Sequence, residues 1–229
     1  MLKRLKDALN KPRQVNTGKT EEEQNVVVIV DYGMGNLWSV YNAFDSINAD
    51  VFISGSPNAI LAADRLVVPG VGSFQDAMEG LKDRGLVGPI KDFIDTGKPY
   101  LGICLGLQIL FKQSEEGRGN GLGIFDGVVR RFIRTPDVKI PHMGWNTVAV
   151  KKESPAEVLF KEIDRSPYFY FVHSYYADPE DKDIALGKTE YGGDEFASMI
   201  VKDNIYATQF HPEKSQGVGQ QVLRNFLRV

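Results

Sequence analysis

The residues best suited to chemistry in this chain of 229 amino acids are a cysteine and a histidine that each follow an apolar run. The cysteine is Cys104 in Gly102-Ile103-Cys104-Leu105-Gly106, where a strand pattern at residues 99–103 meets a helix pattern at residues 105–111. A side chain on such a tight turn needs neighbours without a Cβ atom. The thiol then lies at a helix N-terminus, where the helix dipole favours the thiolate. The pattern predicts a cysteine nucleophile, whereas a lone cysteine without it is more often a small buried apolar residue.

A cysteine nucleophile requires a base, and His211 is the histidine with the most informative surroundings. It follows the apolar run 205–210 and precedes Glu213 by two positions. In an extended segment, side chains two residues apart point the same way, so Glu213 can orient the imidazole of His211. By itself this spacing is a weak signal, because a histidine in a solvated loop has the same pattern. Together with Cys104 it predicts a nucleophile, a base and an orienting carboxylate.

Acyl transfer also needs amide groups that stabilise an oxyanion. Gly70, Val71 and Gly72 follow the predicted strand 66–68 directly. A glycine-containing loop at the carboxyl end of a strand can present backbone N–H groups to a ligand, together with the N–H of Leu105 after the nucleophile. An ordinary turn before the next helix is the alternative.

The motifs lie on an alternation of predicted strands and helices. Continuous apolar runs are typical of strands buried on both faces of a parallel sheet, and 3.6-residue spacing of apolar residues predicts helices. The predicted strands are at residues 26–30, 51–53, 66–68, 99–103, 128–133, 147–150, 168–172, 197–201 and 205–210, and the predicted helices at residues 37–47, 74–81, 105–111 and 218–226. This order predicts an α/β fold with an open, mostly parallel central sheet flanked by helices.

Composition limits the class of protein. With 42% apolar residues the chain can form one sizeable core, and we expect a single domain at residues 25–229 after a charged, flexible extension at residues 1–24. A formal charge of −3 argues against a nucleic-acid partner. The single cysteine excludes an internal disulfide, and no apolar run approaches the roughly 18–20 residues needed to cross a bilayer. We therefore expect a cytoplasmic protein without a membrane partner.

No cofactor or metal is predicted. Gly33-x-Gly35 after the first strand lacks the third glycine of a dinucleotide-binding turn, and no Walker motif is present. The three histidines are far apart in the sequence and have no nearby ligand pair of the kind that a zinc site uses.

The cysteine, histidine and glycine motifs together resemble those of the class I (triad) glutamine amidotransferases. Longer segments are similar to the glutaminase subunits of imidazole glycerol phosphate synthase. These segments are Asp31–Leu37, Pro141–Asn146, Tyr170–Tyr176 and Gln209–Ser215. The resemblance runs in the same order from about Val26 to Leu227, so it is more specific than any single motif.

The resemblance implies a reaction and a set of residues. Cys104 would attack the carboxamide carbon of L-glutamine, His211 would pass a proton to the departing ammonia, and Glu213 would orient His211. Hydrolysis of the glutamyl thioester would then give glutamate. The positions that match the family's substrate-binding residues are Gln108, Glu116, Ser174 and Tyr175, with Glu116 facing the α-ammonium group.

The resemblance also implies a partner. Such subunits form a heterodimer with a (β/α)₈-barrel cyclase subunit, which receives the ammonia through a channel and uses it in histidine biosynthesis. The segments that match the docking face include Asn36, Trp145, Tyr170 and Lys214. Trp145 lies between Gly144 and Asn146 and is the type of aromatic anchor that interfaces favour, although a core tryptophan is the alternative.

Two departures from the family pattern concern the partner and leave the triad intact. The extension at residues 1–24 has no counterpart in the family pattern, and Trp38 stands where a basic residue is expected. A related glutaminase subunit that serves a synthase aminating a nucleotide sugar is therefore the alternative enzyme. A catalytically silent binding protein, with Cys104 as a redox sensor, is the alternative of another class.

Overall fold

The computed structural model describes residues 26–117, 119–133, 138–164 and 167–229. The extension predicted at residues 1–24 lies outside the described residues. In the part of the chain that is described, no helix has both the length and the apolar character needed to span a membrane.

Strands and helices alternate in the first half of the chain, and strands dominate the second. The strands are β1 Val26–Val30, β2 Asp50–Ser54, β3 Arg65–Gly70, β4 Tyr100–Cys104, β5 Phe111–Ser114, β6 Phe125–Arg131, β7 His142–Thr147, β8 Ala149–Val150, β9 Tyr168–His173, β10 Tyr175–Pro179, β11 Ala185–Tyr191, β12 Asp194–Lys202 and β13 Ile205–Thr208. The α-helices are α1 Leu37–Asp45, α2 Pro57–Ala62, α3 Phe74–Asp83, α4 Val87–Asp95, α5 Leu105–Gln108 and α6 Gln216–Phe226. Short 3₁₀ turns span Pro155–Phe160, Lys182–Ile184 and Pro212–Lys214.

The main sheet has a parallel part that carries the predicted motifs. Its strands follow the order β2-β1-β3-β4-β13, and each neighbouring pair is parallel. The sheet continues through β12, β10 and β6 by antiparallel pairing, and β5 closes that edge parallel to β6. Strands β7 and β9 form a separate antiparallel pair. The predicted α/β class with a central sheet and flanking helices is confirmed.

The core lies on both faces of the parallel strands. In β1, Val28 and Val30 pack on one face with α3 and α4, and Val27 and Ile29 pack on the other with α1 and α6. All four side chains are buried, which explains why β1 is a continuous apolar run and does not alternate with polar residues. Burial on both faces fixes the sheet in place, and the strand ends then hold the functional loops.

The helix predicted at residues 105–111 is wrong in length. Helix α5 ends at Gln108, and β5 already begins at Phe111. The reason is competition from distant backbone groups, because Leu122 N–H donates to the Ile109 carbonyl at 2.7 Å and Ile124 N–H donates to the Leu110 carbonyl at 2.9 Å. Phe111 then pairs with Phe125 of β6, so the chain is already extended where the second helical turn is predicted.

Candidate active site

The three predicted motifs meet at the carboxyl-terminal ends of three neighbouring strands. Strand β4 lies between β3 and β13, and all three run parallel. Gly70 at the end of β3 is in register with Cys104 at the end of β4, and Thr208 at the end of β13 is in register with Ile103. The glycine loop, the cysteine and the histidine segment therefore leave neighbouring strands on the same side, where open parallel sheets bind ligands.

Cys104 occupies a strained turn between β4 and α5. Its backbone angles are φ 55° and ψ −105°, far from the regions that non-glycine residues prefer. A Cβ atom at Gly102 would lie 2.6 Å from the Gly106 carbonyl oxygen, and one at Gly106 would overlap the Val68 carbonyl. Glycine at both positions lets the helix approach the strands and leaves the thiol 6% exposed at the helix N-terminus. This is the predicted nucleophile elbow.

His211 and Glu213 form a buried pair. His211 Nδ1 lies 2.8 Å from Glu213 Oε1, and the two side chains are 2% and 3% exposed. The segment is not extended as predicted, because Pro212–Lys214 is a 3₁₀ turn that His211 precedes. The turn still brings the carboxylate onto the imidazole. His211 Nε2 and Glu213 Oε2 are buried and make no hydrogen bond to any described residue.

The charges at this site favour an ion pair. Burial lowers the pKa of His211, but the negative charge of Cys104 and the contacts with Cys104 and Glu213 outweigh it and raise the pKa to about 10. His211 Nε2 makes no hydrogen bond of normal geometry, so Cys104 raises the pKa of His211 more through its charge than through a hydrogen bond. At neutral pH His211 is therefore protonated and forms an ion pair with Glu213.

The glycine loop after β3 lies directly against the elbow. A Cβ at Gly70 would be 2.8 Å from the Leu105 Cβ, and Gly72 has φ +111°, a region that favours glycine. The amide nitrogens of Val71 and Gly72 make no hydrogen bond within the described ranges. These two N–H groups therefore have no partner there, and the oxyanion role of the loop stays a prediction.

Tyr32 supports this loop and was missed by the sequence analysis. Its hydroxyl donates to the Pro69 carbonyl at 2.8 Å, and the ring is 1% exposed. Burial and the charge of Cys104 raise the pKa of Tyr32, so the hydroxyl stays protonated and remains a donor. In the sequence it falls only within the segment Asp31–Leu37, which follows the first predicted strand. A tyrosine directly after a buried strand is expected to be buried and to need a hydrogen-bond partner for its hydroxyl. That expectation is the feature of the sequence that could have identified Tyr32.

The predicted substrate residues lie on three different parts of the fold. Gln108 is buried in α5, and its Nε2 donates to the Tyr175 carbonyl at 2.9 Å. Glu116 Oε2 accepts from the Phe74 N–H at 2.8 Å, at the start of α3. Ser174 lies between β9 and β10 and immediately precedes Tyr175.

Gln209 is a second residue that the sequence analysis missed. It is fully buried, its Oε1 accepts from Gln108 Nε2 at 3.1 Å, and its Nε2 lies 3.5 Å from Cys104 Sγ. The signal was a polar side chain inside the apolar run before His211, where a buried amide requires partners. Gln209 joins the cysteine to the predicted substrate pocket.

Three of the predicted docking residues lie together. Trp145 is 46% exposed on β7, which excludes a core tryptophan. Its ring is 6.2 Å from that of Tyr170 on β9, and Lys214 Nζ lies 5.8 Å from the Tyr170 centroid. Tyr170 in turn accepts from the His211 N–H through its carbonyl at 2.9 Å, so this cluster touches the base.

Asn36, the fourth docking residue, begins α1. Its Oδ1 accepts from the Ser39 N–H at 3.3 Å and so caps the helix. Helix α1 packs against the turn Pro212–Lys214, so Asn36 is on an element that contacts the histidine segment. Trp38, two residues later, is 57% exposed.

Comparison with known proteins agrees with this geometry. The family model for glutamine amidotransferase class-I matches residues 28–229. Imidazole glycerol phosphate synthase subunit HisH of Thermosynechococcus vestitus is 48% identical over 203 residues, which cover 89% of this chain and 96% of the relative. Subunit HisH of Trichormus variabilis is 46% identical over 202 residues, covering 88% and 95%.

Solved structures share the fold at low sequence identity. The structure of PurLQS from Thermotoga maritima superposes with a TM-score of 0.69 at 19% identity and covers 90% of this chain and 98% of its own. The glutaminase domain of Trypanosoma brucei CTPS with bound acivicin has a TM-score of 0.61 at 15% identity, covering 89% and 94%. With the family match and the two HisH relatives, the chain belongs to the class-I glutamine amidotransferase family and, within it, to the HisH subunits of imidazole glycerol phosphate synthase.

Proposed function

We propose that this chain hydrolyses L-glutamine through a thioester on Cys104 and delivers the ammonia to a cyclase subunit of imidazole glycerol phosphate synthase. One observation carries the proposal: the thiol lies at the end of β4, between a free-amide loop after β3 and the buried His211–Glu213 pair after β13. Nucleophile, acid–base group and oxyanion donors are the three requirements of acyl transfer.

The first half-reaction forms the thioester. The thiolate of Cys104 attacks the carboxamide carbon, and the C=O electrons move onto the oxygen, which the N–H groups of Val71, Gly72 and Leu105 stabilise. Protonated His211 gives its proton to the amide nitrogen, the C–N bond breaks, and ammonia leaves. The raised pKa of His211 supports this role, since the group holds a proton at neutral pH.

The second half-reaction restores the enzyme. Neutral His211 takes a proton from water, and the hydroxide attacks the thioester carbon. The C–S bond breaks, glutamate leaves, and the thiolate lies again beside protonated His211. Glu213, fixed at 2.8 Å from Nδ1, keeps the imidazole oriented through both proton transfers.

The residues near the elbow support recognition of an amino acid. Both N–H groups of the Gln108 amide are used, on Tyr175 and Gln209, so its Oε1 is left to accept from an ammonium group. The carboxylate of Glu116 supplies the negative charge for that ammonium. We assign Ser174 and Tyr175 to the same pocket, because the Tyr175 carbonyl accepts from Gln108.

The partner is proposed from the exposed surface and from the relatives. Their name, subunit HisH, denotes a component of a larger synthase. Trp145, Tyr170 and Lys214 form a cluster beside the histidine segment, and we assign it, with Asn36, to the docking face of a (β/α)₈-barrel cyclase. Docking there places the site next to the partner, so that ammonia passes on without entering bulk water. We further assign residues 25–229 to the amidotransferase domain, residues 1–24 to an extension, and the complex to the cytoplasm.

The test is a glutaminase assay on the purified chain, alone and with a barrel cyclase and its phosphoribulosyl ligand. We expect glutamate release to rise strongly with the liganded cyclase and to vanish in Cys104→Ala. If Cys104 reacts with acivicin but the liganded cyclase does not raise glutamate release, the partner would be a nucleotide-sugar synthase. A chain whose Cys104 does not react at all would contradict the glutaminase and favour a silent binding protein.

A further inference from the structure

Two buried histidines lie close to the site and have no part in the reaction described above. His142 on β7 and His173 on β9 are 3% and 6% exposed, and His142 Nδ1 lies 3.1 Å from His173 Nε2. His142 stacks between the rings of Phe171 at 4.8 Å and Tyr191 at 3.9 Å. A buried polar pair in an aromatic cage is costly unless its hydrogen bonds are satisfied, so their pattern is informative.

The carbonyl of Tyr175 fixes the proton positions of both rings. His173 Nδ1 lies 2.8 Å from this oxygen, which can only accept, so Nδ1 carries the hydrogen and Nε2 is the acceptor. His142 must then donate from Nδ1 to His173, which leaves His142 Nε2 to accept from Asn146 Nδ2 at 3.3 Å. Asn146 Nδ2 also donates to the Glu190 carbonyl at 2.9 Å, consistent with that amide orientation.

The same carbonyl fixes the amides on the other side. Gln108 must present Nε2 to Tyr175 O, and its second N–H points to Gln209 at 3.1 Å. Gln209 therefore accepts with Oε1, and its Nε2 is the group that faces Cys104 Sγ at 3.5 Å. One oxygen thus sets the direction of every hydrogen bond from Asn146 to the nucleophile.

Both rings are neutral, as this pattern requires. Burial lowers the pKa of His142 to about 4 and that of His173 to about 3. A protonated His173 would put a second hydrogen between the two ring nitrogens, and a protonated His142 would direct a hydrogen at the Asn146 N–H; either would break the chain.

We propose that His142 and His173 are positioning residues of the glutaminase site: their hydrogen-bond chain holds the Tyr175 carbonyl, which orients Gln108 toward the substrate and Gln209 toward the thiol. The inference rests on the proposed function and adds to it a link between two parts of the molecule. His142 and Asn146 point inward from β7, whereas Met143 and Trp145 on the same strand are exposed on the proposed docking face. The chain connects the strand that carries the docking face to the nucleophile.

The experiment compares two rates of Cys104 modification in the full-length chain. Acivicin, an amino-acid analogue of glutamine, reacts after it occupies the substrate pocket, whereas iodoacetamide is a small alkylating agent without amino-acid groups. The rate constant for acivicin divided by that for iodoacetamide measures how well the pocket accepts the amino acid. A change in thiol reactivity alters both rate constants and therefore cancels in this ratio. His142→Phe keeps the ring stacking and removes both nitrogens, and His173→Leu removes the donor to Tyr175.

We expect each variant to lower the ratio about tenfold, the effect of losing one orienting hydrogen bond. His173→Asn keeps an N–H near the Nδ1 position and should restore the ratio to within about threefold of the parent. Phe196→Leu is the matched control, because Phe196 packs 5.2 Å from His173 and its ring forms no hydrogen bond. It should lower the unfolding temperature and leave the ratio unchanged.

Three results would overturn the inference. An unchanged ratio in both histidine variants would show that the pair does not position the pocket. An equal loss in Phe196→Leu would show that packing alone is responsible. If His173→Leu does not fold, His142→Phe decides, because its shape is conserved. A parent chain whose Cys104 reacts with iodoacetamide but not with acivicin would refute the proposed function itself, and with it this inference.

Discussion

Replacing Gly106 with alanine is expected to disable the site by moving the elbow. A Cβ at this position would overlap the Val68 carbonyl oxygen and lie 2.9 Å from the Val68 carbonyl carbon. Ordinary contact requires a separation of about 3.5 Å, so α5 and β3 must move apart by about 1.5 Å. Strand β3 is hydrogen-bonded between β1 and β4 and cannot yield. The helix must move, and Cys104 at its N-terminus moves with it.

The expected magnitudes follow from that displacement. A misplacement of about 1 Å at a reacting atom costs about 100-fold in rate, so glutamine hydrolysis should fall by about that factor. Overpacking of this kind costs about 1–3 kcal/mol of unfolding free energy, or about 2–12 °C in a chain of this size.

The assay combines glutamate release with thermal unfolding, and Gly88→Ala is the control. Gly88 lies in α4, where an added Cβ meets nothing within 4 Å, so this variant should keep full activity and equal or greater stability. Full activity in Gly106→Ala, or an equal loss in Gly88→Ala, would refute the role of close backbone approach at the elbow.

Three further predictions concern the surrounding groups. Cys104 and, to a smaller extent, Glu213 raise the pKa of His211 to about 10. Glu213→Gln removes the smaller contribution, so the acid form of His211 should be lost at lower pH; a pH profile whose alkaline limb does not move down would contradict this. Tyr32→Phe removes the 2.8 Å hydrogen bond to Pro69 and should cost about 1 kcal/mol of stability, measured by denaturant unfolding; no loss would show that the loop holds itself. Trp145→Ala should weaken cyclase binding about 30-fold in calorimetry and leave glutamine hydrolysis by the isolated chain nearly unchanged; unaltered affinity would move the docking face elsewhere.

Local patterns predicted the parts of the fold that depend on neighbouring residues. The apolar run of β1 and the glycines beside Cys104 each identify their element, because the constraint acts within a few positions. The helix predicted at residues 105–111 was wrong because the Ile109 and Leu110 carbonyls pair with residues 122–125, a contact that no local pattern encodes. Helices α2 and α4 were not predicted, since α2 has only six residues and α4 carries Gly88 and Pro89 in its first turn, residue types that usually mark a loop.

In the site, too, the residues marked by local spacing could be predicted, and those that depend on distant contacts could not. Cys104, His211 and Glu213 are recognisable because their spacing reflects a turn or a strand end. Gln209 and Tyr32 act through partners about 105 and 37 positions away, at Cys104 and Pro69, so only the folded chain identifies them. The tautomers of the two buried histidines depend on the direction of the Tyr175 carbonyl, which β9 and β10 set. The sequence alone does not indicate that direction.

The central claim is that Cys104 becomes acylated during glutamine hydrolysis, and acid quenching followed by intact-mass and peptide analysis tests it most directly. During turnover, we expect an added glutamyl group on the peptide that contains Cys104, released as the glutamine is exhausted and absent in Cys104→Ala. Glutamate production at the parent rate by Cys104→Ala, with no glutamyl adduct in the parent chain, would contradict it.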